Sequence, residues 1–145
     1  MKDEGFKFLD HTADIYIRAY SKTLEGAFEQ VAYSLMTTIS PDLNLIFPKI
    51  EKFIEIVSED KEALLFDFLS EFLFIFDVEE LIFSLVKVKS IDKKNDNYKL
   101  EAIAKGEVFN IEKHEIGTEV KAITYNMMKI EEKNSNIEID VVFDI

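Results

Sequence analysis

Two aspartates carry the chemistry that can be read most directly from this chain. Asp14 leads an alternating run, with Ile15, Ile17 and Ala19 on one side and Tyr16, Arg18 and Tyr20 on the other. Period-two alternation is the mark of a half-buried strand, and it puts Asp14 on the side of Tyr16 and Arg18. Near the opposite end, Ile137, Ile139, Val141 and Phe143 form one face. Glu138, Asp140, Val142 and Asp144 form the other, and Asp144 adjoins the terminal carboxylate of Ile145. If the two strands neighbour one another, Asp14, Asp144 and that carboxylate converge. A like-charged pair at close contact costs on the order of 4 kcal/mol at an intermediate effective dielectric. A hard divalent cation turns the repulsion into oxygen coordination, which suits Ca²⁺, Mg²⁺ or Mn²⁺ rather than a soft metal. Spacing alone also fits two solvated strand ends, and favours them.

The remaining reactive side chains offer less. His11 and His114 are far apart and neither has an i, i+4 partner, so a histidine zinc site is not expected. His11 reads as a loop or capping residue and His114 as a surface residue. Lys121 interrupts an apolar run of Val120, Ala122 and Ile123, where its stem can lie on apolar surface with the ammonium in water. The chain has no cysteine, hence no disulfide, no thiolate nucleophile and no sulfur-bound zinc. Glycine-rich phosphate loops, GxSxG and HExxH are absent, and no acid and base are paired beside a nucleophile. A metal-dependent hydrolase is therefore the weakest reading.

The elements that must position these residues follow from periodicity. After the strand at 15–20, Thr23 reads as an N-cap. Leu24, Ala27, Phe28, Val31, Ala32, Leu35 and Met36 then follow at helical spacing, to a stop near Ser40-Pro41. Glu51 to Val57 reads as a strand. Ser58-Glu59-Asp60 supplies caps and negative charge for a second helix running to about Asp77. Its apolar residues cover most of the circumference, leaving Asp67, Ser70 and Glu71 wet, so its phenylalanines are expected in the core. Two hairpins follow, 81–91 with 98–105 and 123–131 with 137–144, separated by an irregular stretch at 107–121. This order predicts an α+β fold, a two-layer sandwich with two helices packed on a mixed, mainly antiparallel β-sheet.

Composition sets the outer limits. In 145 residues, 17 Lys and Arg face 29 Asp and Glu, for a net charge of −12, and Arg18 is the only arginine. A hydrophobic content of 48% with 13 Phe is enough to build a core, which argues against a disordered acidic tail. With no linker or repeat, residues 1–145 read as one domain. At −12 the mean field repels phosphates, so direct nucleic-acid binding is not expected, and any such role must run through a protein partner. Met1-Lys2-Asp3-Glu4-Gly5-Phe6 carries no apolar run, so a signal peptide is not expected. The greasiest stretch, Leu64 to Phe76, is broken by polar residues and is too short to span a bilayer. A cytoplasmic protein that does not enter membranes is the expectation.

The motifs Leu9-Asp10-His11-Thr12-Ala13-Asp14-Ile15 and Lys22-Thr23-Leu24-Glu25-Gly26-Ala27-Phe28 resemble the opening of the archease family. So do Leu64-Leu65-Phe66-Asp67-Phe68-Leu69, Gly106-Glu107, and His114 with Gly117-Thr118-Glu119-Val120-Lys121-Ala122-Ile123-Thr124-Tyr125. Phe143-Asp144-Ile145 completes the order. Departures are Gly26, where members commonly carry Glu, and Asn126, where many carry His; Asn126 is given no ligand role. The resemblance implies a protein cofactor, not an enzyme, for the RtcB-type RNA ligase. That ligase seals RNA ends, including tRNA exon halves, through a guanylylated histidine. The cofactor promotes guanylylation and multiple turnover, and can broaden nucleotide triphosphate use. It further implies that Asp14, Asp144 and Ile145 hold a divalent ion, Ca²⁺ first and Mg²⁺ or Mn²⁺ next. The resemblance also implies that Lys121 belongs to the functional surface beside them. The alternative is a metal-independent acidic chaperone or adaptor for a basic client.

Overall fold

Strand and helix patterning fold largely where periodicity puts them. The computed structural model describes residues 3–10 and 13–145. Its elements are β1 (Gly5–Leu9), β2 (Ile15–Ser21), α1 (Leu24–Ile39), β3 (Ile50–Ser58), α2 (Lys61–Glu79), β4 (Leu81–Lys94), β5 (Asn97–Val108), β6 (Ala122–Lys133) and β7 (Asn136–Asp144). A single 3₁₀ turn, Leu43–Leu45, follows α1. The Thr23 hydroxyl accepts the Gly26 N–H at 3.0 Å and the Asp60 carboxylate accepts the Ala63 N–H at 2.7 Å. Each satisfies a donor that the first helical turn leaves unpaired, typically worth about 1 kcal/mol.

The α+β class holds, with two helices packed against antiparallel sheets. In place of one mixed sheet there are two, ordered β1-β2-β7-β6 and β3-β5-β4, and every ladder among the described residues is antiparallel. Each helix touches both sheets. The division has a local cause. The Glu29 carboxylate on α1 accepts the Val88 N–H at 2.8 Å. One turn on, the Tyr33 hydroxyl accepts the Val86 N–H at 3.0 Å and donates to the Val86 carbonyl at 3.1 Å. These helix side chains occupy backbone groups on the outer edge of β4, so no further strand pairs there.

Both hairpins are tighter than the sequence suggests. Asn95-Asp96 and Asn134-Ser135 sit at positive φ, the conformation that matches a two-residue turn to strand twist. At the centre of the core, Phe28, Phe68, Phe72 and Phe83 are fully buried, and successive ring centroids lie 6.1, 5.0 and 5.7 Å apart. The expectation for the helix-two phenylalanines needs one correction. Phe74 falls on the same stripe as Asp67 and Glu71 and is 59% exposed. No helix among the described residues is long and apolar enough to cross a membrane.

Candidate functional site

Register brings the predicted residues to one end of the four-stranded sheet. The β2–β7 ladder pairs Ile15 with Phe143, and one step beyond it stand Asp14 and Asp144. On the other side of β7, Ala122 pairs with Asp144, and the Lys121 N–H donates to the Asp144 carbonyl oxygen at 2.7 Å. Asp14 and Asp144 are half-buried, while Lys121 and Ile145 are exposed. His11 lies outside the described residues.

The acidic positions on this face of β7 divide by partner. Arg18, opposite Asp140, grips it in a fork, with Nε to Oδ1 at 2.8 Å and Nη2 to Oδ2 at 3.0 Å. The Tyr16 hydroxyl adds a bond to Oδ2 at 3.0 Å. Burial alone would raise the Asp140 carboxyl, but the hydrogen bonds from Arg18 and Tyr16 outweigh it and hold it below the ordinary value. Glu138 also faces Arg18, at 3.4 Å. Among the described residues neither Asp14 nor Asp144 has an ion-pair partner.

Among the described residues no group of three or more His, Cys, Asp or Glu side chains is arranged to hold a metal ion. A cation here would draw on two side-chain carboxylates and oxygens of Ile145. That all-oxygen set fits Ca²⁺, Mg²⁺ or Mn²⁺ and excludes nothing that a partner or water would add.

The stretch leading to Lys121 is anchored from both ends. His114 is not a surface residue: it is 3% exposed. Its Nδ1 accepts the Asn110 N–H at 2.9 Å, so the ring proton sits on Nε2 and is donated to Glu107 Oε2 at 2.9 Å. The same oxygen accepts Lys113 Nζ at 2.6 Å and the Phe47 N–H at 2.8 Å. Burial works against ionisation of Glu107, yet these donors overcome it and hold the carboxyl at about 2. Further on, the Gly117 N–H donates to the Ile39 carbonyl at 2.9 Å and the Thr118 N–H to the Thr38 carbonyl at 2.8 Å. The Ser40 hydroxyl donates to the Glu115 carbonyl at 2.7 Å. The loop thereby caps carbonyls that the end of α1 leaves open. Only glycine permits that approach at 117, because a Cβ there would sit 2.2 Å from the Thr38 oxygen. Between this loop and the C-terminal half of α2 lies a groove of about 490 Å³, and Lys121 lines it.

Comparison with known proteins adds a family to this geometry. The description "Archease protein family (MTH1598/TM1083)" matches residues 6–145. The chain belongs to the archease family. Protein archease of Thermococcus kodakarensis is 51% identical over 122 residues, covering 84% of each chain. The solution structure of Methanobacterium thermoautotrophicum protein 1598 is 39% identical, with a TM-score of 0.83 over 97% of this chain and 99% of that one. A Thermotoga maritima structure described as an archease, possible chaperone, is 24% identical and covers 96% of each chain. Its TM-score of 0.60 shows the shared fold.

The archease motifs now have physical content. Gly117 and Thr118 dock the loop on α1, and Lys121 leads into β6. Tyr125 stacks on Phe66 of α2 with ring centroids 4.4 Å apart and planes 4° from parallel. Burial, then the nearby carboxylates Asp67, Asp60 and Glu59, push the Tyr125 hydroxyl above its usual value. Just beyond, β6 bulges between Thr124 and Lys129, with Met127 at φ 60°. Sequence reasoning missed the Glu107–His114 contact. The only signal was an acid and a histidine seven residues apart in an irregular stretch.

Proposed function

We propose that this protein activates an RtcB-type RNA ligase in trans, in the cytoplasm, and performs no reaction of its own. It promotes guanylylation of the ligase, returns it to multiple turnover in tRNA splicing and RNA repair, and widens the nucleotide triphosphates it accepts. The observation that supports the reading is that the β2–β7 register carries Asp14 to the same end of the sheet as Asp144 and Ile145, with no ion-pair partner for either aspartate among the described residues. A divalent ion, Ca²⁺ first and Mg²⁺ or Mn²⁺ next, would supply charge there to stabilise phosphate oxygens.

The chain's own residues do the positioning. Asp14 and Asp144 would hold the ion with an oxygen of Ile145. The Lys121 main chain fixes the Asp144 backbone, and the exposed Lys121 ammonium faces the partner. A net charge of −12 steers the protein to a basic ligase surface without direct contact to RNA.

Single- and multiple-turnover ligation by the cognate ligase tests this. Asp14→Ala and Asp144→Ala are expected to fold, leave the first turnover intact and abolish stimulation of later ones. Normal stimulation by both variants overturns the shared-site mechanism. The second reading is a metal-independent acidic chaperone or adaptor for a basic client; the Thermotoga maritima neighbour is itself described as a possible chaperone. Stimulation indifferent to chelators would select that reading.

A further inference from the structure

The groove beside the corner has an apolar floor and an acidic rim. Ile39, Leu73, Phe76 and Val120 line it, Ile116 stands 70% exposed on its wall, and Asp77, Glu119 and Lys121 edge it. Its volume, about 490 Å³, lies within the range of sites that enclose a small ligand or a few side chains. The wall cannot easily collapse inward. Gly117, Thr118 and Glu115 are hydrogen-bonded to the end of α1, and Glu107 holds His114 below them. A preformed groove loses little ordering entropy when it is filled.

Charge selects the occupant. Two rim carboxylates outnumber one ammonium, in a chain of −12. A second copy would bring −12 against −12, and an acidic ligand would meet the same field. We infer that the groove takes an apolar side chain from a partner protein, presented on a segment with lysine or arginine on either side of the anchor. Lys121 belongs to both places: it edges the groove and its N–H bonds to Asp144. A segment seated in the groove is therefore held in register with the acidic corner. Naming the partner as the ligase rests on the function proposed above; the recognition chemistry does not.

Two synthetic peptides test it by amide chemical-shift titration of the full chain. One carries a central leucine between lysine and arginine, the other a central leucine between two glutamates. The basic-flanked peptide is expected to shift the Gly117 and Thr118 amides and to bind at least five-fold tighter than the acidic one. Ile116→Glu, at an exposed position, is expected to abolish those shifts with an unchanged circular dichroism spectrum. Equal binding of the two peptides, or no shift at Gly117 and Thr118, overturns the inference. So does concentration-dependent self-association that Ile116→Glu removes, which would assign the groove to a second copy. Ligase stimulation is measured in parallel. Peptide binding without stimulation by the unaltered protein would sink the activator reading and leave the groove standing.

Discussion

The main-chain N–H of Lys121 donates to the carbonyl oxygen of Asp144 at 2.7 Å, so the residue leading into β6 is tied to the last residue of β7. This bond joins Lys121 to the acidic corner through backbone alone. Substituting the Lys121 side chain leaves it intact. Lys121→Met is thus expected to leave Ca²⁺ binding and folding unchanged, within about 0.5 kcal/mol as for other exposed positions, while lowering ligase stimulation. Loss of Ca²⁺ affinity in this variant would move Lys121 from the partner surface into the metal site.

Cation binding at the corner is expected to stabilise the fold by mass action. At a hundredfold excess over the dissociation constant, one site contributes about 2.7 kcal/mol. Thermal unfolding with Ca²⁺, Mg²⁺ and Mn²⁺ measures this, and Asp14→Asn with Asp144→Asn should erase the shift. Residues appended after Ile145 should weaken it. An appended chain that binds Ca²⁺ normally would remove the terminal carboxylate from the site.

Acid should undo the loop before it undoes the core. Glu107 is held at about 2 against an ordinary 4.5, so the folded state binds fewer protons than the unfolded chain between those values. Its stabilisation is fully present above pH about 4.5 and is lost as pH falls toward 2. Asp140, also lowered, acts in the same direction, whereas Glu29, raised by burial, acts in the opposite one. Glu107→Gln is expected to cost about 1–3 kcal/mol at neutral pH by leaving donors poorly paired. It should also flatten the acid limb of a urea-midpoint profile. An acid limb as steep as that of the unaltered protein would show that Glu107 is not a source of it.

Gly117→Ala is expected to push the loop off α1, since the new Cβ meets a backbone oxygen rather than a side chain able to turn away. Overpacking of this kind costs about 1–3 kcal/mol. Hydrogen exchange should show faster exchange at Thr118, whose N–H is bonded to Thr38. Unchanged protection there would mean the loop is held by other contacts.

What periodicity encodes was legible, and what side-chain partners decide was not. Thr23 and the spacing from Leu24 to Met36 locate α1 to within a residue. The alternation around Asp14 and Asp144 brought both to one end of the sheet because Asp14 immediately precedes β2 and Asp144 ends β7, the strand that pairs with it. β1 left no comparable sign: five residues with Lys7 between Phe6 and Phe8 become a strand because β2 offers an edge. His114 looked solvated because its partner, Glu107, lies across a turn with no repeating pattern. The separation into two sheets depends on Glu29, an acid that reads as a wet helix position until β4 is seen beside it.

That edge contact gives the last prediction. The Tyr33 hydroxyl is both donor and acceptor for Val86, and burial first, then the Glu29 charge, raises its ionisation above the usual value against the lowering bond from Val86. Tyr33→Phe keeps the ring but strands a buried N–H and carbonyl, at a cost of about 1–3 kcal/mol. Glu29→Gln keeps an acceptor for the Val88 N–H and removes the buried charge, so it should be far milder, and it should gain relative to the unaltered protein as pH rises. Urea unfolding of the two variants at neutral pH measures both. If Tyr33→Phe is as stable as the unaltered chain, the β4 edge is satisfied by something other than α1, and the explanation offered for two sheets fails with it.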